Sequence, residues 1–123
     1  MITALLSTAP WLMLAAALLW LHSLRSKNLG HVDILWPLHH VIACFGVCVA
    51  LPQLEWRGIL LLLLVTAWGI RLATFLAVRA AGREEDRRYA EIRANQGPSF
   101  KFTSLLIIYL LQAMIALIIC AAF

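Results

Sequence analysis

The chain has 123 residues, of which 63% are hydrophobic and only 13% are charged, and its mean hydropathy is +0.90. Soluble domains carry about 25% charged residues, so this composition excludes a soluble enzyme, and the high apolar content excludes a disordered chain. The net charge of +4 does not indicate nucleic-acid binding, because the basic residues alternate with acidic ones and no recognition motif is present.

Four apolar runs predict membrane-spanning helices at about 2–21, 34–51, 58–78 and 104–123. A helix needs about 20 apolar residues to cross a bilayer. The first Lys or Arg is Arg25, which follows the first run, so that run is not a cleaved signal peptide. The sequence therefore predicts a single-domain, all-α, polytopic transmembrane helix bundle (residues 1–123) with four spans.

Positive charge is unequally divided between the two sides of the predicted bundle. The connections 22–33 and 79–103 lie on one side and contain eight Lys or Arg residues, whereas Arg57 is the only one on the other side. The positive-inside rule predicts that both connections are cytoplasmic and that the N-terminus is outside, and we expect a bacterial inner membrane. A short interfacial helix is predicted at about 84–94, with Glu84 and Arg88 four residues apart; a solvated charged connector is the alternative.

Several polar residues lie inside or at the edge of the apolar runs. At 1.5 Å per residue, His40, Arg71 and Gln112 lie roughly 9–12 Å from the cytoplasmic ends of their spans, and Asp33 lies nearer the surface. Arg71 is the only charged residue well inside a run. Such residues indicate either a pocket for an anionic or polar ligand, with Arg71 as its positive charge, or a hydrogen-bonded layer that fixes helix register.

No metal site or catalytic motif is predicted. His40, Cys44 and Cys48 share a helix face, but no matching ligands appear on another run. The cysteines are interpreted as small apolar helix residues. No nucleophile, phosphate-loop or dinucleotide fingerprint occurs, so residue spacing assigns no catalytic residue.

Three stretches resemble a known membrane family: KNLGHVDILW at 27–36, WGIRLATFLAVR at 68–79 and EDRRYAEIR at 85–93, followed by Phe100 and Gln112. They are similar to the domain of unknown function 1295 family, in the steroid 5-alpha-reductase-like group. The resemblance implies an NADPH-dependent reductase of a steroid-like or other lipid carbon–carbon double bond. Related methyltransferases leave the reaction class open.

The implied cofactor-binding residues are Arg71, Arg88, Tyr89 and Arg93. The implied residues of the substrate cavity are Asp33, Trp36, His40 and Gln112.

The sequence departs from that family in one respect. Family members are longer and carry an R-H-P-N-Y-type cofactor motif in their C-terminal half, and nothing after Gln112 resembles it. We therefore expect a truncated N-terminal half that lacks the cofactor-binding half and is inactive alone, with a C-terminal half encoded downstream as its partner. The alternative is a stand-alone four-helix membrane interaction or assembly protein without catalysis. A small multidrug transporter is disfavoured, because no Asp or Glu lies inside a span.

Overall fold

The computed structural model describes residues 2–51, 53 and 55–121, and helices dominate them. The long helices are α1 (Ile2–Ser26), α2 (His31–Ala50) and α3 (Trp56–Ala80). A fourth helical run begins with α4 (Arg87–Gln96) and a 3₁₀ turn (Gly97–Ser99). It continues through α5 (Phe100–Ser104), a π-helical turn (Leu105–Leu110) and α6 (Leu111–Cys120). Within the described residues four helices are long and apolar enough to cross a membrane, which confirms the predicted all-α bundle.

The helices extend beyond the apolar runs that predicted them. Helices α1 and α3 have 25 residues each, which corresponds to about 37 Å, against a hydrocarbon core of about 30 Å. Helix α1 ends where Lys27 adopts a left-handed conformation with φ of 53°. Their ends therefore project past the apolar layer and carry the charged residues with them.

The short connecting helix begins three residues later than the sequence predicted. The Asp86 carboxylate accepts a hydrogen bond from the Arg88 backbone N–H at 2.9 Å and so caps α4 at its start. Glu84 therefore lies outside the helix and does not form the predicted pair with Arg88. The pair at that spacing is Arg87 with Glu91, at 2.8 Å.

Helix α2 lies at the centre of the bundle, between α1, α3 and the last helix. Glycine permits the closest approach of α3: a Cβ atom on Gly69 would lie 2.5 Å from Val41 Cγ2 and 3.2 Å from the Pro37 carbonyl oxygen. A Cβ atom on Gly46 would likewise lie 2.6 Å from the Thr8 side chain on α1. These two contacts fix α2 between its neighbours.

The core lies between α1, α2 and the fourth helical run. Its fully buried members include Leu12, Ala16, Ala43, Tyr109 and Ala113. Helix α3 differs, because its main contact is with α2 and only Gly69 and Ala73 are buried. Most of the α3 surface is therefore not covered by the described part of the chain.

Candidate functional site

Residues 27–33 and 79–93 meet at one end of the bundle, which we call the arginine-rich end. A cavity of about 620 Å³ opens there between the start of α2, the end of α3 and the start of α4. Such a volume is typical of small-molecule sites. Its charged lining consists of four arginines and three acids, namely Arg79, Arg83, Arg87, Arg88, Asp33, Glu84 and Asp86.

Asp33 connects α2 to α4 at the wall of this cavity. The Tyr89 hydroxyl donates a hydrogen bond to Asp33 Oδ1 at 2.8 Å, and Arg88 Nη2 approaches Asp33 Oδ2 at 3.4 Å. Asp33 lies in the first turn of α2, where the helix dipole favours a carboxylate. The structure thus brings together three residues that the sequence analysis assigned to the cofactor and the cavity.

Arg88 is shared between two carboxylates. Its Nε and Nη2 atoms lie 3.1 and 3.2 Å from the two Asp86 oxygens, in addition to the contact with Asp33. The side chain and backbone N–H of Arg88 both stabilise the charged carboxylate, which lowers the pKa of Asp86 below its usual value. Because its guanidinium is already paired, Arg88 mainly positions the surrounding groups.

Glu85 and Arg93 form a second connection, behind the cavity wall. Glu85 Oε1 accepts hydrogen bonds from the buried Leu29 backbone N–H at 2.8 Å and from Arg93 Nη2 at 2.9 Å. Arg93 also donates to the Lys27 carbonyl at 3.3 Å, and its guanidinium lies 4.9 Å from the centroid of the Phe100 ring. Arg93 therefore fastens α4 to the α1–α2 connection and does not line the cavity. Sequence reasoning did not assign Glu85 this role.

Two lining arginines stand apart from these networks. Arg79 and Arg83 line the cavity, and their guanidinium groups make no hydrogen bond or ion pair with any residue that the structure describes. Each guanidinium carries five N–H donors in a fixed planar arrangement. The sequence analysis used both only to orient the bundle. Because α3 ends at Ala80 and Arg83 lies in the connection that follows, helical spacing gives no signal that would have assigned both to one site.

Of the other residues predicted for the site, three lie at or beside the cavity and Arg71 lies away from it. Trp36 and Gln112 line the cavity. His40 is buried beside it, with Nδ1 3.0 Å from the Trp36 carbonyl oxygen and its ring centroid 5.8 Å from that of Trp68. Arg71 is exposed on α3, does not line the cavity, and makes no hydrogen bond or ion pair with the described residues. Arg71 and Gln112 therefore lie at similar depths but do not belong to the same site.

Cys44 and Cys120 pack close to the backbone of His40, and Cys120 Sγ lies 3.8 Å from the His40 carbonyl oxygen. Cys44 Sγ on α2 lies 3.6 Å from Cys120 Sγ on α6, so this pair joins two helices. Among the described residues, no cluster of three or more His, Cys, Asp or Glu side chains is suited to hold a metal ion.

Comparison with known proteins places the chain at the family level. No curated protein and no solved structure matches it significantly. The family model described as "Protein of unknown function (DUF1295)" matches residues 19–123, which include every residue of the cavity and both connections to α4. This match confirms the family resemblance of the three sequence stretches, and the chain belongs to the DUF1295 family.

Proposed function

We propose that the chain is an integral membrane protein and that its arginine-rich end binds the phosphate groups of NADPH on the cytoplasmic side, in a reductase of lipid double bonds. The observation that carries the proposal is the pair Arg79 and Arg83, two guanidiniums without a carboxylate partner in one cavity. Arginine binds phosphate through parallel, charge-assisted hydrogen bonds. The excess of Lys and Arg at this end supports the cytoplasmic orientation.

The donor set fits a phosphate-bearing cofactor. Arg88 pairs with both Asp33 and Asp86, and Arg87 pairs with Glu91, which leaves Arg79 and Arg83 as the lining arginines that have no carboxylate partner among the described residues. Bound NADPH would supply the hydride for reduction of a carbon–carbon double bond. The residues of this chain would hold the phosphates and orient the cofactor against the cavity wall.

The inner wall of the same cavity supports a lipid substrate. Trp36 lies on α2, which is long and apolar enough to cross a membrane. Gln112 lies on α6, which belongs to the fourth helical run, and that run is also long and apolar enough. The cavity therefore joins the arginine-rich end to side chains of the membrane-spanning segments. Asp33, which also lines the cavity, accepts the hydrogen bond from the Tyr89 hydroxyl.

Binding of NADPH to the full chain in detergent or in lipid nanodiscs tests the proposal. The double variant Arg79→Gln/Arg83→Gln should weaken NADPH binding at least tenfold, because each hydrogen bond to a charged group contributes about 1.5–3 kcal/mol. The matched control is Arg57→Gln at the opposite end of α3, which should bind like the unchanged chain. Competition by inorganic pyrophosphate reports on the phosphate contacts directly. Folded protein without saturable NADPH binding would refute the proposal.

A stand-alone assembly protein is the second candidate function. One observation favours it, namely the largely uncovered surface of α3. That function requires a folded chain that associates with another membrane protein while binding neither NADPH nor pyrophosphate. The same titration therefore separates the two candidates.

A further inference from the structure

Arg71 lies close to the middle of a membrane-spanning helix. Helix α3 runs from Trp56 to Ala80, and its central residue is Trp68. Arg71 follows three residues later, which places its Cα about 4.5 Å from the midpoint along the helix axis. With α3 centred in a hydrocarbon layer about 30 Å thick, this Cα lies about 10 Å below the nearer surface.

The direction of the side chain makes escape to that surface unfavourable. The nearer surface is at the C-terminal end of α3, where Arg79 lies. Side chains on a helix point back toward its N-terminus, so the Arg71 guanidinium is directed toward the middle of the bilayer. A charged group at this depth is costly without a polar partner.

The described chain provides no such partner. Arg71 is exposed and lies two positions after Gly69, the residue that contacts α2, which places it about 200° around the helix from that contact. It belongs to a row of exposed residues spaced alternately by four and three. We call this row the Arg71 face: Leu60, Leu64, Ala67, Arg71, Thr74 and Val78. This spacing is typical of a helix–helix contact.

We propose that the Arg71 face binds a transmembrane helix other than the four in this chain, and that this helix carries an Asp or Glu at the depth of Arg71. Charge complementarity identifies the partner. A carboxylate within the membrane neutralises the guanidinium and satisfies its donors. Ala67 and Thr74 lie about one turn on either side of Arg71 and are small enough for another helix to approach closely.

Two other candidate partners for the Arg71 face do not place a negative charge at the depth of Arg71. Lipid phosphates lie at the bilayer surface, about 10 Å from the Arg71 Cα. A second copy of this chain has no carboxylate at this depth, because its six acids are Asp33, Glu55, Glu84, Glu85, Asp86 and Glu91. A symmetric pair through the same face would also place Arg71 against Arg71. The partner is therefore a different, acidic transmembrane helix.

The test uses a synthetic transmembrane peptide as the partner helix. The peptide is a Leu/Ala helix of about 20 residues with one central Glu, and the matched peptide has Gln at that position. The full chain carries a fluorescent donor at Gln53→Cys, an exposed site near the start of α3. Energy transfer to an acceptor on the peptide is measured in phosphatidylcholine vesicles.

We expect the Glu peptide to associate with the unchanged chain and the Gln peptide to associate at least tenfold more weakly. Arg71→Leu should lower association of the Glu peptide at least tenfold, whereas Arg57→Leu should leave it unchanged. Arg71→Gln keeps a polar side chain but removes the charge, and it serves as a second variant, with helical content measured by circular dichroism for each protein. Equal association of the two peptides, or retained association of a folded Arg71 variant, would overturn the proposal. Arg71-dependent energy transfer between two copies of the chain would also overturn it. Neither readout requires NADPH, so the proposal stands or fails separately from the proposed function.

Discussion

Replacing Glu85 by alanine tests how α4 is fastened to the bundle. The Glu85 side chain is 13% exposed and accepts hydrogen bonds from the Leu29 backbone N–H and from Arg93. Leu29 is 1% exposed, so its N–H would have no protein acceptor and little access to water after the substitution. A hydrogen bond to a charged acceptor contributes about 1.5–3 kcal/mol. The Arg93 pair, which is partly exposed, adds about 0.2–1 kcal/mol.

We therefore expect Glu85→Ala to lower the free energy of unfolding by about 2–4 kcal/mol. Equilibrium unfolding in mixed detergent micelles, followed by circular dichroism, measures this change. The rate of tryptic cleavage within 79–93 should rise in the same variant, because α4 loses its connection to the α1–α2 segment.

Glu84→Ala is the matched control for this experiment. Glu84 has the same side chain and precedes Glu85 in the sequence, but it is exposed and makes no hydrogen bond to a described residue. Its replacement should change stability by less than about 0.5 kcal/mol. If both substitutions had the same small effect, the argument that a buried backbone donor depends on Glu85 would be refuted.

Two further predictions concern helix contacts and capping. Gly69→Val should destabilise the α2–α3 contact by about 1–3 kcal/mol, because the Cβ atom would lie 2.5 Å from Val41 Cγ2. Ala67→Val on the opposite face of α3 should have little effect in the same detergent unfolding assay, and equal losses would contradict the close approach at Gly69. Hydrogen bonds from Arg88 lower the pKa of Asp86 below its ordinary value, so the contribution of Asp86 to the start of α4 is present above that ordinary value and is lost as the pH falls through the lower folded value. The Arg88 amide resonance, followed by NMR against pH, should therefore have a midpoint below that of Asp in an unfolded peptide. A midpoint at or above the peptide value would show that Arg88 does not stabilise the Asp86 carboxylate.

The helices could be predicted because their signal is local. Long apolar runs separated by charged residues are sufficient to place four helices, and the structure differs mainly at their ends. Helix α1 continues through Leu24 to Ser26, and its C-terminal part is held by distant contacts such as the Trp20 Nε1 bond to the Lys101 carbonyl oxygen, at 2.9 Å. A bond across 81 positions has no local signature in the sequence.

The candidate site could be predicted only in part, for a geometric reason. Counting residues gives depth along a helix but does not show which neighbour a side chain faces. Gln112 faces the cavity, whereas Arg71, at a similar depth, lies on the face of α3 away from α2. Asp33 was singled out by its position at the edge of a span, whereas Arg88 and Tyr89 were found only through the family resemblance, since their contacts with Asp33 cross 55 and 56 positions.

The π-helical turn at Leu105–Leu110 keeps the buried sides of the two halves of the last helix aligned. The inward-facing residues Ser104, Tyr109 and Ala113 are separated by five and then four positions, and Ala116 and Cys120 continue the buried side. Loss of one residue within the turn would restore regular α-helix with a spacing of four, which keeps Ser104 and Tyr109 on the same face, so the same side of α6 would still face α2. A regular α-helix that kept all the residues would instead rotate α6 by about 100° relative to α5 and turn a different side of it toward α2. The turn therefore lets the last helix contain one additional residue without changing how α6 packs relative to the arginine-rich end.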